Sequence, residues 1–208
     1  MPTTKTRTRA AHLGPERRRP AVLDAALELA VDGGLAAVTI GSVASHLGVT
    51  RPVVYACYAD RVELVTALLD REATILKESL LSALHSSGGQ SDPETAFVTG
   101  FRSLLTAAET RPSTWRLLVS GEPDPAVSTR FRDVRAELLD HATTWIGSAV
   151  SRWWEIEDLD HKMPVLMEMF MSTCEAAIRS LLDEDQAWTP EELGSLVGAA
   201  TTRMFAGA

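Results

Sequence analysis

Thr50-Arg51-Pro52-Val53 is the run whose side chains can do recognition chemistry. The guanidinium of Arg51 offers paired N–H donors that fit the O6 and N7 acceptors of guanine in a DNA major groove, while Pro52 and Val53 suit the methyl of thymine. Thr50 has an oxygen that can cap a helix beginning at Arg51. That start sets the three side chains in a first turn, the part of a helix-turn-helix that docks against base edges. Thr39 and Ser42, at the start of the preceding helix, have hydroxyls suited to phosphate oxygens.

Other chemistries find no matching pattern. The five histidines, His12, His46, His85, His141 and His161, show no metal-ligand spacing, and there is neither a glycine-rich phosphate loop nor a nucleophile in a recognisable elbow. Cys57 and Cys174 stand too far apart in sequence for a paired-cysteine metal motif, and two thiols make no disulfide framework. The reading is therefore a protein that is not an enzyme and needs no cofactor or metal.

The elements around the recognition run are written in its apolar spacing. Val43, Ala44, Leu47, Val49, Val54 and Tyr58 recur as two short helices packing together would require, and Gly48 falls where the turn between them needs positive φ. Helix starts are marked elsewhere too. Asp60-Arg61-Val62-Glu63 and Thr189-Pro190-Glu191-Glu192 fit capping boxes, and Pro93 after Asp92 and Pro125 after Asp124 fit first turns. These signals predict an all-α chain of about nine helices, near 16–32, 40–47, 51–57, 61–86, 93–108, 112–119, 125–154, 163–183 and 190–205. No alternating pattern lasts long enough for a strand.

The ordered set Thr39, Val43-Ala44, Gly48-Val49-Thr50, Tyr55, Tyr58, Arg61, Glu63 and Leu64 closely resembles the DNA-binding segment of the tetracycline-repressor (TetR-like) regulators. Val22 to Leu29, followed by Gly33-Gly34, resembles that family's first helix and its glycine stop. The resemblance is strong over roughly 16–68. It implies a DNA-facing surface of Thr39, Ser42, Thr50, Arg51, Pro52, Val53, Tyr55 and Arg61, with Tyr55 and Arg61 on the family's backbone-contacting aromatic and cation. Gly41 departs from the family members that place a long polar or basic residue there, so base reading is expected to lean on Arg51 and on DNA shape. His46 is expected to face solvent.

Charge and organisation agree with a DNA-facing end. The net charge of −8 divides into +2 over residues 1–64 and −10 over the rest, so phosphate would repel the body and orient the protein on a duplex. We expect a basic tail at 1–15, a three-helix DNA-binding domain at 16–62, and a helical ligand-binding and dimerisation domain at 63–208. Leu64, Leu68, Ile75 and Leu80 line the helix that joins them. No apolar run reaches the roughly 20 residues a bilayer span needs, and the N-terminus has no secretory pattern, so the expected location is cytoplasmic, away from membranes.

Within the body, Trp115, Leu118, His141, Trp145, Met167, Phe170, Met171 and Cys174 are candidate ligand contacts, by the place of the family's cavity and by the adaptability of Met and aromatic walls. Core packing has the same signature, and the sequence leaves both open. In the last helix Leu193, Leu196, Val197, Ala200 and Met204 share a face beside small Gly194, Gly198 and Ala199, which suits either a dimer seam or closure of the chain's own core. The resemblance implies a homodimeric repressor, released from a palindromic double-stranded operator by a small apolar or aromatic effector. The alternative is a small-molecule-binding or scaffold protein of the same fold that no longer reads DNA specifically.

Overall fold

The computed structural model describes residues 14–87, 92–120 and 128–208. The expected tail, apart from Gly14 and Pro15, and the Asp124-Pro125 start lie outside the described residues. Among those described there are nine α-helices, one short 3-10 turn and no strand. The helices are α1 (Pro15–Gly33), α2 (Ile40–His46), α3 (Arg51–Tyr55), α4 (Arg61–Ser87), α5 (Pro93–Thr110), α6 (Pro112–Ser120), α7 (Ser128–Trp153), α8 (Leu159–Leu181) and α9 (Pro190–Ala206), with the 3-10 turn at Leu35–Ala37.

Their ends follow from side-chain chemistry. Thr189 and Glu192 close a reciprocal capping box at α9, and Asp92 accepts the Thr95 amide at α5. Those bonds from Thr95 hold the Asp92 carboxyl below its usual range. At α4 the expected box is displaced by one residue: Asp60 accepts the Glu63 amide at 2.8 Å, whereas the Glu63 carboxylate takes the amide of Ala59 at 2.6 Å. The helix expected from 163 begins four residues earlier. Asp158, at φ 53°, turns the chain, the amides of His161 and Lys162 bond its carbonyl, and Pro164 falls inside α8 instead of in its first turn.

Two apolar cores result. The head core joins Val22, Ala26, Val43, Val54, Tyr58 and Leu64 with Leu68 and Leu69 of α4, and it also receives Leu117 of α6. The body core is built on Phe97, Phe101, Leu105, Ile146, Phe170, Ile178 and Phe205. Thus α4 and α6 each enter both. Helix α9 lies against α5 so closely that a Cβ on Gly198 would stand 2.6 Å from the Val98 backbone, and one on Gly194 2.9 Å from that of Arg102. These two glycines serve the chain's own core, the second of the two roles their spacing allowed.

Candidate nucleic-acid interface and ligand cavity

In the head, α2 and α3 meet at a turn in which Gly48 has φ +64°. The Val49 amide reaches back to the Ala44 carbonyl at 2.9 Å, closing the end of α2. Tyr58 and Cys57 are buried below, and the Arg19 guanidinium of α1 lies 5.3 Å from the Tyr58 ring centroid, fastening α1 over the unit. Burial pushes the Tyr58 hydroxyl and the Cys57 thiol up from their usual pKa values. Val49, expected between the helices, is instead 37% exposed.

On the outer surface Thr50, Arg51, Pro52 and Tyr55 are exposed together and Val53 is half-buried. Thr50 holds the N-cap position of α3 through its backbone, with no side-chain cap bond, so its hydroxyl points to no helix amide. Thr39 and Ser42 form a capping box on α2. The Ser42 hydroxyl donates to the Ala37 carbonyl at 2.7 Å; with its proton so engaged, Ser42 shapes the start of α2, and Thr39 is the exposed member of the pair. His46 is exposed and paired with Glu28 at 2.8 Å.

Two positions differ in meaning from what their types suggested. Arg61 directs Nε to the Val38 carbonyl and Nη2 to the Leu35 carbonyl, both at 2.8 Å. It therefore clamps the 3-10 turn to the start of α4. Gly41 is not simply a missing contact. A Cβ there would meet Arg51 Nη2 at 3.1 Å and Nε at 3.2 Å, so the guanidinium of α3 rests in the space that glycine leaves on α2. Neither arrangement could be read from sequence, because each depends on a side chain crossing between elements.

In the body, helices α4 to α8 enclose a cavity of about 540 Å³, within the usual size range of small-molecule sites. Trp115, Leu118, His141, Trp145, Phe170, Met171 and Cys174 line it, as the sequence suggested. Met167 does not: it is 1% exposed and packs into the body core, although it shares a face of α8 with Phe170, Met171 and Cys174. Sequence reasoning missed the α5 contribution, Phe97, Phe101 and Leu104, and the charged lining residues Lys77, Arg152 and Glu175. The apolar spacing of α5 was the available signal. His141 Nδ1 donates to the Glu137 carbonyl at 2.7 Å, which leaves Nε2 as an acceptor in the neutral ring. Burial pushes the Cys174 thiol far above its usual pKa.

Helix α6 is shared between head and body. Trp115 and Leu118 face the cavity, while Leu117 enters the head core and Thr114 donates to the buried Glu72 carboxylate of α4 at 2.5 Å. Glu72 accepts from Arg71 Nε at 2.7 Å, and Arg71 bonds Asp24 of α1 at 2.6 Å. An ordered chain of contacts therefore runs from α6 to the first helix of the head.

Residues 22–68 match the family model for bacterial regulatory proteins of the tetR family. That segment, which spans α2 and α3, is a tetR-family regulatory domain. Its fold is similar to that of a TetR-like transcriptional regulator from Rhodococcus sp. RHA1, with TM-score 0.71 at 17% identity over 95% of this chain and 100% of that one. It is also similar to a fatty acid degradation regulator from Bacillus halodurans, with TM-score 0.67 at 12% identity over 91% and 98%. A third is a ketosteroid transcriptional regulator of Mycobacterium tuberculosis, with TM-score 0.59 at 17% identity over 91% and 93%. No curated protein matches the sequence. The chain thus carries a tetR-family helix-turn-helix segment at 22–68 on a helical fold similar to those of the solved regulators, and among the described residues no helix is long and apolar enough to cross a membrane.

The outer faces of its last two helices are apolar. Val165 and Met169 of α8 are 62% and 48% exposed, and Leu196 of α9 is 53% exposed; Ala200 is exposed beside it. Of the other suggested dimer residues, Leu193 is buried in the chain's own core, and Val197 and Met204 are half-buried against it. The inward side of α9 is thus occupied, and the outward stripe is shorter than the sequence indicated.

Proposed function

We propose that this protein is a cytoplasmic, ligand-responsive transcriptional repressor that binds a palindromic operator as a homodimer and leaves it when a small, mostly apolar molecule fills the body cavity. The observation that carries the reading is the double duty of α6. One turn of this helix supplies Trp115 and Leu118 to the cavity wall and Thr114 and Leu117 to the contacts with α4 and the head core. A ligand that displaces Trp115 must move Thr114 with it. The α4–α1 contacts then shift, and the two recognition helices of a dimer no longer match successive major grooves.

In this reading Arg51, with Pro52 and Val53, reads base edges, and Thr39, Thr50 and Tyr55 contact the backbone. Ser42 and Arg61 position the unit. The dimer forms through the exposed stripe of α8 and α9, which supplies the self-complementary face a two-fold axis needs. The names of two structural relatives, a fatty acid degradation regulator and a ketosteroid transcriptional regulator, agree with an apolar effector.

The test is retention on non-specific duplex DNA as salt is raised, followed by selection from random duplexes. A repressor is retained at low salt, released steeply as salt rises, and selects an inverted repeat with half-sites about one helical turn, or a small multiple, apart. Absence of retention at any salt would favour the alternative, a binding protein of the same fold that does not read DNA. A selected site without dyad symmetry would overturn the dimeric reading.

A further inference from the structure

Trp115 is 2% exposed, and its Nε1–H is buried without an acceptor among the described residues. An indole nitrogen only donates. A buried donor left unpaired is costly and uncommon in a folded protein, and this one belongs to a residue of the cavity wall. We propose that the ligand is an apolar molecule with a neutral carbonyl oxygen, as in a ketone, ester, lactone or amide, at the end that meets Trp115, and that this oxygen accepts the Trp115 N–H. The inference rests on the ligand-responsive reading above and specifies its ligand class.

The surroundings decide between polar groups. Lys77, His141 and Arg152 also line the cavity, but all three are half-buried or exposed, within reach of solvent, so a ligand gains little by replacing water there. Trp115 has no such alternative. The neighbouring Thr114 hydroxyl is committed to Glu72. A carboxylate at Trp115 would lose its hydration for one neutral donor, with no buried cation among the lining residues, whereas a carbonyl needs one partner. Leu69 of the head core lines the same cavity, and Trp115 is flanked on α6 by Thr114 and Leu117, which bond α4 and enter the head core. Ligand polarity is therefore placed on α6, the helix that carries the signal.

The probes are 2-acetylnaphthalene and its hydrocarbon isostere 2-isopropenylnaphthalene, titrated calorimetrically into the full-length protein and into Trp115→Phe. In the unsubstituted protein the ketone should bind about tenfold more tightly, the size of one net hydrogen bond to an otherwise unpaired donor. In Trp115→Phe that advantage should vanish while the hydrocarbon still binds. Infrared spectra of carbon-13-labelled ketone bound to the unsubstituted protein give a second readout, which holds even if the variant misfolds. The carbonyl stretch should fall below its value in hexane. Equal affinities for the two probes, an advantage that survives in a folded Trp115→Phe, or a hexane-like stretch would overturn the proposal and leave the cavity reading standing. Failure of both probes to bind at millimolar concentration would overturn both.

Discussion

Replacing Arg61 by alanine separates two tasks that its position in sequence confounds. If Arg61 is the clamp the geometry shows, Arg61→Ala removes two charge-assisted hydrogen bonds, to the carbonyls of Leu35 and Val38. Bonds of this type contribute about 1.5–3 kcal/mol each. The side chain is only half-buried and water can re-solvate the carbonyls, so the lower end applies, giving roughly 2–4 kcal/mol in all. If the chain unfolds as one unit, that is a fall in Tm on the order of 5–12 °C. Amide hydrogen exchange should locate the loss at the 3-10 turn and the start of α2, faster there than in α5 or α9. Arg61→Lys should recover less than half, because one ammonium cannot span two carbonyls as a planar fork does. Operator affinity should fall with the fraction of folded head, with the salt dependence of binding unchanged. The reasoning is refuted if Tm and exchange stay as they were while the slope of log K against log salt drops by about one unit. That outcome would make Arg61 the phosphate contact that the family resemblance implied.

Arg51→Ala should cost about 1–3 kcal/mol at the selected operator and flatten base preference, and Gly41→Lys should change that preference by displacing the guanidinium; unaltered selection profiles for both would remove α3 from base reading. Leu196→Glu combined with Met169→Glu should give a monomer by sedimentation at micromolar concentration, whereas a persistent dimer would place the interface off the exposed α8–α9 stripe. Met171→Trp should block 2-acetylnaphthalene in calorimetry and spare operator binding in its absence, while Met167→Trp, an insertion into packed core, should lower Tm; the reverse pattern would exchange their places. Because burial holds the Cys174 thiol protonated far above its usual pKa, iodoacetamide at pH 8 should leave Cys174 unlabelled in the native protein and label it after denaturation. Native labelling at the denatured rate would show that the cavity wall opens freely.

The head was largely legible because its signals are local. Gly48, the Thr50–Val53 run and the apolar periodicity each act within a few residues, and together they fix a helix-turn-helix without reference to the body. What escaped were contacts across elements: the Arg61 fork on the 3-10 turn, the Arg51 guanidinium over Gly41, and Ser42 as a cap. The body was legible as helices but not as surfaces. Periodicity puts Met167 and Met171 on nearby faces of α8, yet one is core and the other cavity wall. Gly194 and Gly198 likewise suit any close helix contact, and only the approach of Val98 and Arg102 decides that the partner is α5. The outer stripe of α8 and α9 is what remains once those inner contacts are counted.

The same contacts set how the proposed signal would cross this fold. A lone buried carboxylate is expensive, and Glu72, 1% exposed, is tolerable only because Arg71 and Thr114 both bond it. That requirement stiffens the junction: α6 cannot slide away from α4 without leaving a desolvated charge half-partnered, and Arg71 cannot follow α6 without straining its bond to Asp24 of α1. In the proposed response, a ligand that moved α6 would have to break or re-form one of these bonds. Leu117 works in the same direction, since withdrawing it would open a void in the head core. The polar joint and the apolar plug sit on one helix, so a ligand that repositions α6 acts on both together.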